Sequence, residues 1–120
     1  MTRLCFVMMP FGTGSEYSKG KRESTFVFDQ IIKPAVVAAV SETLGPDHEA
    51  EVEVIREVDD TTPGDITLGI VRHLARADIC IVDLTGRNPN VFFELGVRYS
   101  LSRTGTILMV QDVSEMPFNV

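Results

Sequence analysis

Asp78-Ile-Cys-Ile-Val-Asp83 leads straight into Leu84-Thr-Gly-Arg-Asn-Pro-Asn90 and then Val91-Phe-Phe-Glu-Leu-Gly96. The first piece is a short apolar run framed by acids, the pattern of a strand buried on both faces. The second is dense in turn residues. Asn90 is expected to cap a helix running from Val91 to about Ser102. A buried strand that turns directly into a helix is half of a parallel β-α-β unit, so the rest of the chain is expected to supply more of the same.

It does so in both directions. Leu4-Cys-Phe-Val-Met-Met9 is another continuous apolar run, closed by Pro10-Phe11-Gly12-Thr13-Gly14. Ser15 to Glu23 is polar and loop-like. Ser24 is placed to cap a helix from Thr25 to about Leu44, with Phe28, Ile31, Ile32, Ala35, Val36 and Ala39 on one apolar face. Pro34 falls inside that helix and predicts a kink, because it removes the hydrogen bond to the carbonyl of Gln30. Gly45-Pro46 ends it. Glu51 to Val58 alternates polar and apolar at first, as a half-exposed edge strand does. Thr62-Pro63-Gly64-Asp65 opens a helix to about Arg76, with Ile66, Ile70, Val71 and Leu74 inward. Thr106-Ile-Leu-Met-Val110 is expected to be a third buried strand, and Gln111 to Val120 a loop and the beginning of a further strand. Strands alternating with helices predict an α/β fold: a parallel sheet of four to five strands with helices on both faces.

A chain of 120 residues supports one domain, 1–120, with one core. The longest uncharged stretch, Leu4 to Ser15, is broken by Pro10 and Gly12 and falls short of the ~20 residues that span a bilayer. No basic segment, apolar block and cleavage site follow one another at the N-terminus, so the expectation is a cytoplasmic protein without membrane contact. Cys5 and Cys80 sit inside apolar runs and are expected to be buried, reduced thiols. His48 and His73 show no metal-ligand spacing, so no metal and no cofactor is expected. The net charge of -6 arises between Asp47 and Asp60, where seven acids face only Arg56. No basic stripe is left to grip a nucleic-acid backbone.

In an open parallel sheet, ligands bind beyond the carboxyl ends of the strands, where the strand order reverses. Three segments form that edge: 10–15, 58–65 and 83–90. The last is richest in chemistry, with Asp83, Arg87, Asn88 and Asn90 in the turn and Glu94 one turn into the helix. Each has a plainer alternative. Asp83 acts in chemistry or ties its own loop. Arg87 binds a phosphate or pairs with Asp83 or Glu94. Asn88-Pro89-Asn90 is turn chemistry first. Gly12 to Ser15 offers backbone N–H groups to a phosphate but lacks the ending of a P-loop, and Phe11 stacks on a base or anchors the loop.

The run from Asp83 to Gly96 resembles the nucleoside 2-deoxyribosyltransferase-like and TIR-like superfamily of bacterial domains. Cys5-Phe-Val-Met-Met-Pro-Phe-Gly12 resembles its opening strand, Ile31-Ile-Lys-Pro-Ala35 its first helix, and Gln111-Asp112 with Pro117-Phe118 the exit of its fourth strand. The resemblance covers nearly the whole chain. It implies a three-layer α/β/α, flavodoxin-like (Rossmannoid) fold and chemistry at an N-glycosidic bond. It also implies that the chain normally continues past Val120, so a domain cut from a longer protein is expected. In deoxyribosyltransferases the glutamate of Glu-Leu-Gly attacks the anomeric carbon, and in TIR-type enzymes a glutamate near the same helix supports cleavage of nicotinamide from NAD. Glu94 is the matching residue. Breaking a ribosyl–base bond develops an oxocarbenium-like centre that a carboxylate stabilises or traps.

The resulting expectation is an N-glycosidase acting on NAD, a nucleoside monophosphate or a nucleoside, in a bacterial defence or signalling role. Glu94 and Asp83 are its catalytic residues, and Phe11, Gly12, Ser15, Arg87, Asn88 and Asn90 bind substrate. Deoxyribosyltransferases carry a tyrosine near the end of the first strand, where this chain has Met8-Met9-Pro10-Phe11, which argues for hydrolysis or another substrate over deoxyribosyl transfer. A homo-oligomer is expected, since a neighbouring subunit would close the open crevice. The competing expectation is a non-catalytic nucleotide-binding or TIR-like interaction module. A phosphoacceptor receiver is excluded, because the first strand ends without the acidic pair that would hold magnesium.

Overall fold

The computed structural model describes residues 2–10, 24–56, 68–102 and 104–116. The expected site residues Phe11, Gly12 and Ser15, the helix opening at Thr62 to Asp65, and Glu57, Asp59 and Asp60 of the acidic block lie outside them. Four strands, β1 (Arg3–Met8), β2 (Val52–Arg56), β3 (Ile79–Asp83) and β4 (Thr106–Met109), form one parallel sheet in the order β2-β1-β3-β4. Cys5 pairs with Val54, Phe6 with Cys80 and Val82 with Leu108. Among the described residues three helices lie between them: α1 (Ser24–Leu44), α2 (Leu68–Arg76) and α3 (Pro89–Leu101). This strand order is that of the flavodoxin-like doubly wound sheets.

Alternation along the central strands makes two cores. Phe6, Met8, Cys80 and Val82 face α2 and α3, where Ile70, Leu74, Val91 and Leu95 are buried against them. Cys5, Val7, Met9 and Ile81 face the other way, onto Val27, Phe28 and Ile32 of α1. The layers are therefore helix, sheet, helix. Both thiols are free and buried, as expected. Burial pushes the Cys5 thiol up from an ordinary value of 9.0 to about 11, and raises that of Cys80 as well.

Two expectations are corrected. First, α1 does not kink simply at Pro34. Val27–Ile32 is π-helical, and the N–H of Lys33 reaches the carbonyl of Phe28, five residues back. Pro34 then enters the following α-helical stretch in its first turn, where no N–H is required. The wider π turn also rotates the helix, so the expected stripe divides: Phe28 and Ile32 are buried, whereas Ile31, Ala35 and Ala39 are exposed. Second, β4 is not a buried strand. It is an edge strand, and Ile107 is 54% exposed on it. By length and composition α1 is also long and apolar enough to cross a membrane, although no unbroken apolar run has that length: within its 21 residues one 18-residue window has a mean hydropathy of 1.2. Asp29, Lys33 and Glu42 interrupt the run without removing its average. β2, by contrast, is an edge strand as expected, preceded by a 3-10 turn at Pro46–Glu51. There a 2.8 Å hydrogen bond between His48 and Glu51 holds the Glu51 carboxyl below its usual range.

Candidate active site

The order in which the chain adds strands reverses between β1 and β3. From β1 the chain crosses by α1 on one face to β2, and β3 is left by α3 on the opposite face. A crevice opens between such strands at their carboxyl ends, and the run from Asp83 to Glu94 begins there.

Asp83 is fully buried, and its Oδ1 accepts the N–H of Thr85 at 3.0 Å. The carboxylate is thus turned into its own loop. Thr85 in turn accepts the N–H of Gln111 on its Oγ1 at 3.0 Å, and the N–H of Leu84 reaches the carbonyl of Met109 at 2.8 Å. The loops after β3 and β4 are laced together by these bonds. Gly86 and Arg87 both adopt positive φ, 79° and 54°, which brings the chain round into α3. Arg87 is exposed, and its Nη2 donates to the carbonyl of Ser114 at 3.2 Å.

Asn88, not Asn90, caps α3. Its Oδ1 accepts the N–H of Asn90 at 2.8 Å and that of Val91 at 3.4 Å. Pro89 occupies the first turn, so the helix begins two residues before the expected position. The Asn-Pro pair is itself the better start signal, since proline fits the first helical position. Glu94 is half-buried on α3, between the buried Val91 and Leu95 in sequence and on the flank of the face they define. The structure thus gathers Asp83, Arg87, Asn88, Asn90 and Glu94 into one strand–turn–helix unit. Asp83 and Asn88 spend hydrogen-bonding capacity on the loop itself, while Arg87, Asn90 and Glu94 stand at or near the surface.

One cation at this edge carries no motif. Arg56 ends β2, stacks over the Phe28 ring at 5.0 Å, and donates to the Oγ1 of Thr25 at 3.0 Å, with Nη1 3.8 Å from the Sδ of Met9. Among the described residues no carboxylate lies within ion-pair range of it. The signal in the sequence is slight: an arginine ending a strand, surrounded by acids. No cluster of three or more histidine, cysteine or acidic side chains able to hold a metal occurs among the described residues. His73 lies elsewhere, its ring 5.0 Å from that of Phe6 on the α2 side of the sheet.

No family model and no solved structure matches the chain. Among curated proteins it is similar to mitogen-activated protein kinase kinase kinase 5 of Homo sapiens, with 31% identity over 110 residues. The match covers 86% of this chain and about 8% of the length of that relative. The chain contains neither an Asp-Phe-Gly nor a His-Arg-Asp triplet, so the likeness does not rest on the phosphoryl-transfer signature of protein kinases.

Proposed function

We propose that the chain cleaves the N-glycosidic bond of a nucleotide or nucleoside, NAD and nucleoside monophosphates included, at the carboxyl edge of β1 and β3. The observation that supports this reading best is the placement of Glu94: a half-buried carboxylate early in the helix that leaves the switch-point strand. As the C–N bond breaks, its electron pair leaves with the base and positive charge grows on the anomeric carbon. Glu94 stabilises that charge or adds to the carbon, and water then supplies the hydroxyl while the base takes up a proton. Asp83, buried beneath the loop, positions the turn. Arg87 and Asn90 hold sugar hydroxyls or phosphate, and Arg56 supplies a further positive charge for an anionic substrate. The two buried free thiols fit a reducing, cytoplasmic setting.

The test is base release from NAD, nucleosides and nucleoside monophosphates, separated by chromatography, with Glu94→Gln alongside. Release by the native chain, reduced by about 10²-fold or more in the variant, is the expected result. No release from any compound by demonstrably folded protein overturns the reading. A second reading is a non-catalytic interaction module. It is favoured by the likeness to the human kinase, of which this chain, itself without the two kinase triplets, matches about 8%. In that case nucleotide binding or partner binding survives Glu94→Gln, and no base is released by either form.

A further inference from the structure

Arg56 is held in place by uncharged partners. Its Nη2 donates to the Oγ1 of Thr25 at 3.0 Å, its Nη1 lies 3.8 Å from the Sδ of Met9, and its guanidinium stacks over the Phe28 ring at 5.0 Å. A guanidinium carries five N–H groups in a rigid fork, and these contacts engage two of them. Among the described residues no carboxylate answers the charge. The Nζ of Lys33 lies 5.9 Å from the centroid of the same ring, so two cations share Phe28. That ring is carried by the π-helical turn Val27–Ile32, a distortion that recurs at functional sites. A stacked and tethered arginine has already given up rotamer freedom, so little ordering remains to be done when an anion binds.

Register places this fork at the crevice. Arg56 pairs with Val7, Val7 with Ile81 and Met8 with Val82, so Met9 stands level with Asp83. The Arg56 side chain climbs from the level of Val7 to that of Met9, at the carboxyl end of β1. β2 and β3 flank β1 at ~4.8 Å each, which separates the end of β2 from the turn after β3 by about 10 Å, the length of a nucleotide. Arg56 lies on the α1 side of the sheet and Glu94 on α3 at the opposite face, so a ligand laid across the edge meets both. We propose that Arg56 makes this site select substrates that carry a phosphate group, donating to the phosphate oxygens while the sugar lies toward Glu94. The proposal rests on the reading of the crevice as a nucleotide site and names the substrate class within it. Phosphate accepts two parallel N–H bonds from a guanidinium, and such charge-assisted pairs are stronger than neutral ones. A neutral nucleoside leaves the fork unused.

Calorimetry of the purified chain with adenosine and adenosine 5′-monophosphate, and with the other matched nucleoside and monophosphate pairs, reads the ratio of the two affinities. The native ratio is expected to favour the monophosphate by about tenfold or more, and to fall as salt is added. Arg56→Gln, its fold verified by circular dichroism, is expected to remove about tenfold or more of that preference. Arg56→Lys keeps the charge and the stem but cannot make two parallel bonds, so it lowers the ratio severalfold and serves if Arg56→Gln does not fold. A native ratio near one overturns the proposal. So does a ratio that neither variant changes, the result expected if Arg56 is spent on Glu57, Asp59 or Asp60, which follow it in the sequence. Binding of no pair overturns it together with the site. Base release from the same compounds separates the two readings. An Arg56-dependent preference without base release leaves the phosphate subsite standing and removes the cleavage reaction. Equal release from nucleoside and monophosphate, unchanged in ratio by Arg56→Gln, does the reverse.

Discussion

The side chain whose removal will be felt most is Arg98, which is 1% exposed. Its Nη1 donates to the carbonyls of Leu74 and Ala77, at 2.7 and 3.0 Å, and its Nη2 to that of Thr104 at 3.1 Å. The first two belong to the end of α2, where carbonyls have no helical partners and the dipole favours a cation. The third precedes β4. A single guanidinium thus joins α2, α3 and the entry to β4. Gly105 completes the arrangement: with φ at 76°, a Cβ there would stand 2.5 Å from the carbonyl oxygen of Asp78 and 3.1 Å from Nη2 of Arg98. Arg98→Met keeps the volume of the stem but leaves these acceptors unpaired in the interior, and is expected to lower unfolding stability by about 2–4 kcal/mol in urea titration. Arg98→Lys recovers part of that loss, since one ammonium cannot reach all three carbonyls in the fork geometry of arginine. The sequence offers no local sign of this role, because an arginine three residues after a leucine on a helix reads as a surface residue until the tertiary neighbours are known.

Elements were more legible than their ends. The buried strands β1 and β3, the edge strand β2 and the helices between them follow from runs and periodicities of hydrophobicity, which respond to burial directly. What the pattern misjudged was the outer boundary of burial. Periodicity marks an apolar face on α1, but it does not state whether anything covers that face. The same holds for Ile107 on β4. At the candidate site, residue types were readable and their assignments were not: Asn88 and Asn90 are both good caps, and only the hydrogen bonds distinguish them. Asn88→Ala removes the acceptor for two N–H groups of α3 and is expected to cost about 1 kcal/mol, whereas Asn90→Ala costs a few tenths at most. Chemical denaturation of the two variants side by side checks this. If Asn90→Ala also lowers base release while leaving stability unchanged, its assignment to substrate is separated from any part in holding the helix.

For the molecule as a whole, the two faces of the sheet carry one buried thiol each, and these tie stability to pH. Cys5 faces α1 and Cys80 faces α2 and α3. Desolvation raises both, with Arg98 acting against it at Cys80. In the unfolded chain Cys5 ionises near 9.0, and in the folded chain near 11. A thiol raised in this way contributes its full stability below the lower value and loses it as pH climbs through the higher one, because above pH 9 the unfolded chain releases a proton that the folded chain keeps. A shift of this size is worth about 2–3 kcal/mol for Cys5. Stability is therefore expected to be insensitive to this group up to pH 9 and to decline between 9 and 11, with Cys5→Ala showing a shallower decline over the same interval. Comparing the two chains cancels the titration of tyrosines and lysines, which both share. Parallel slopes for Cys5→Ala and the native chain would show that the thiol ionises without unfolding.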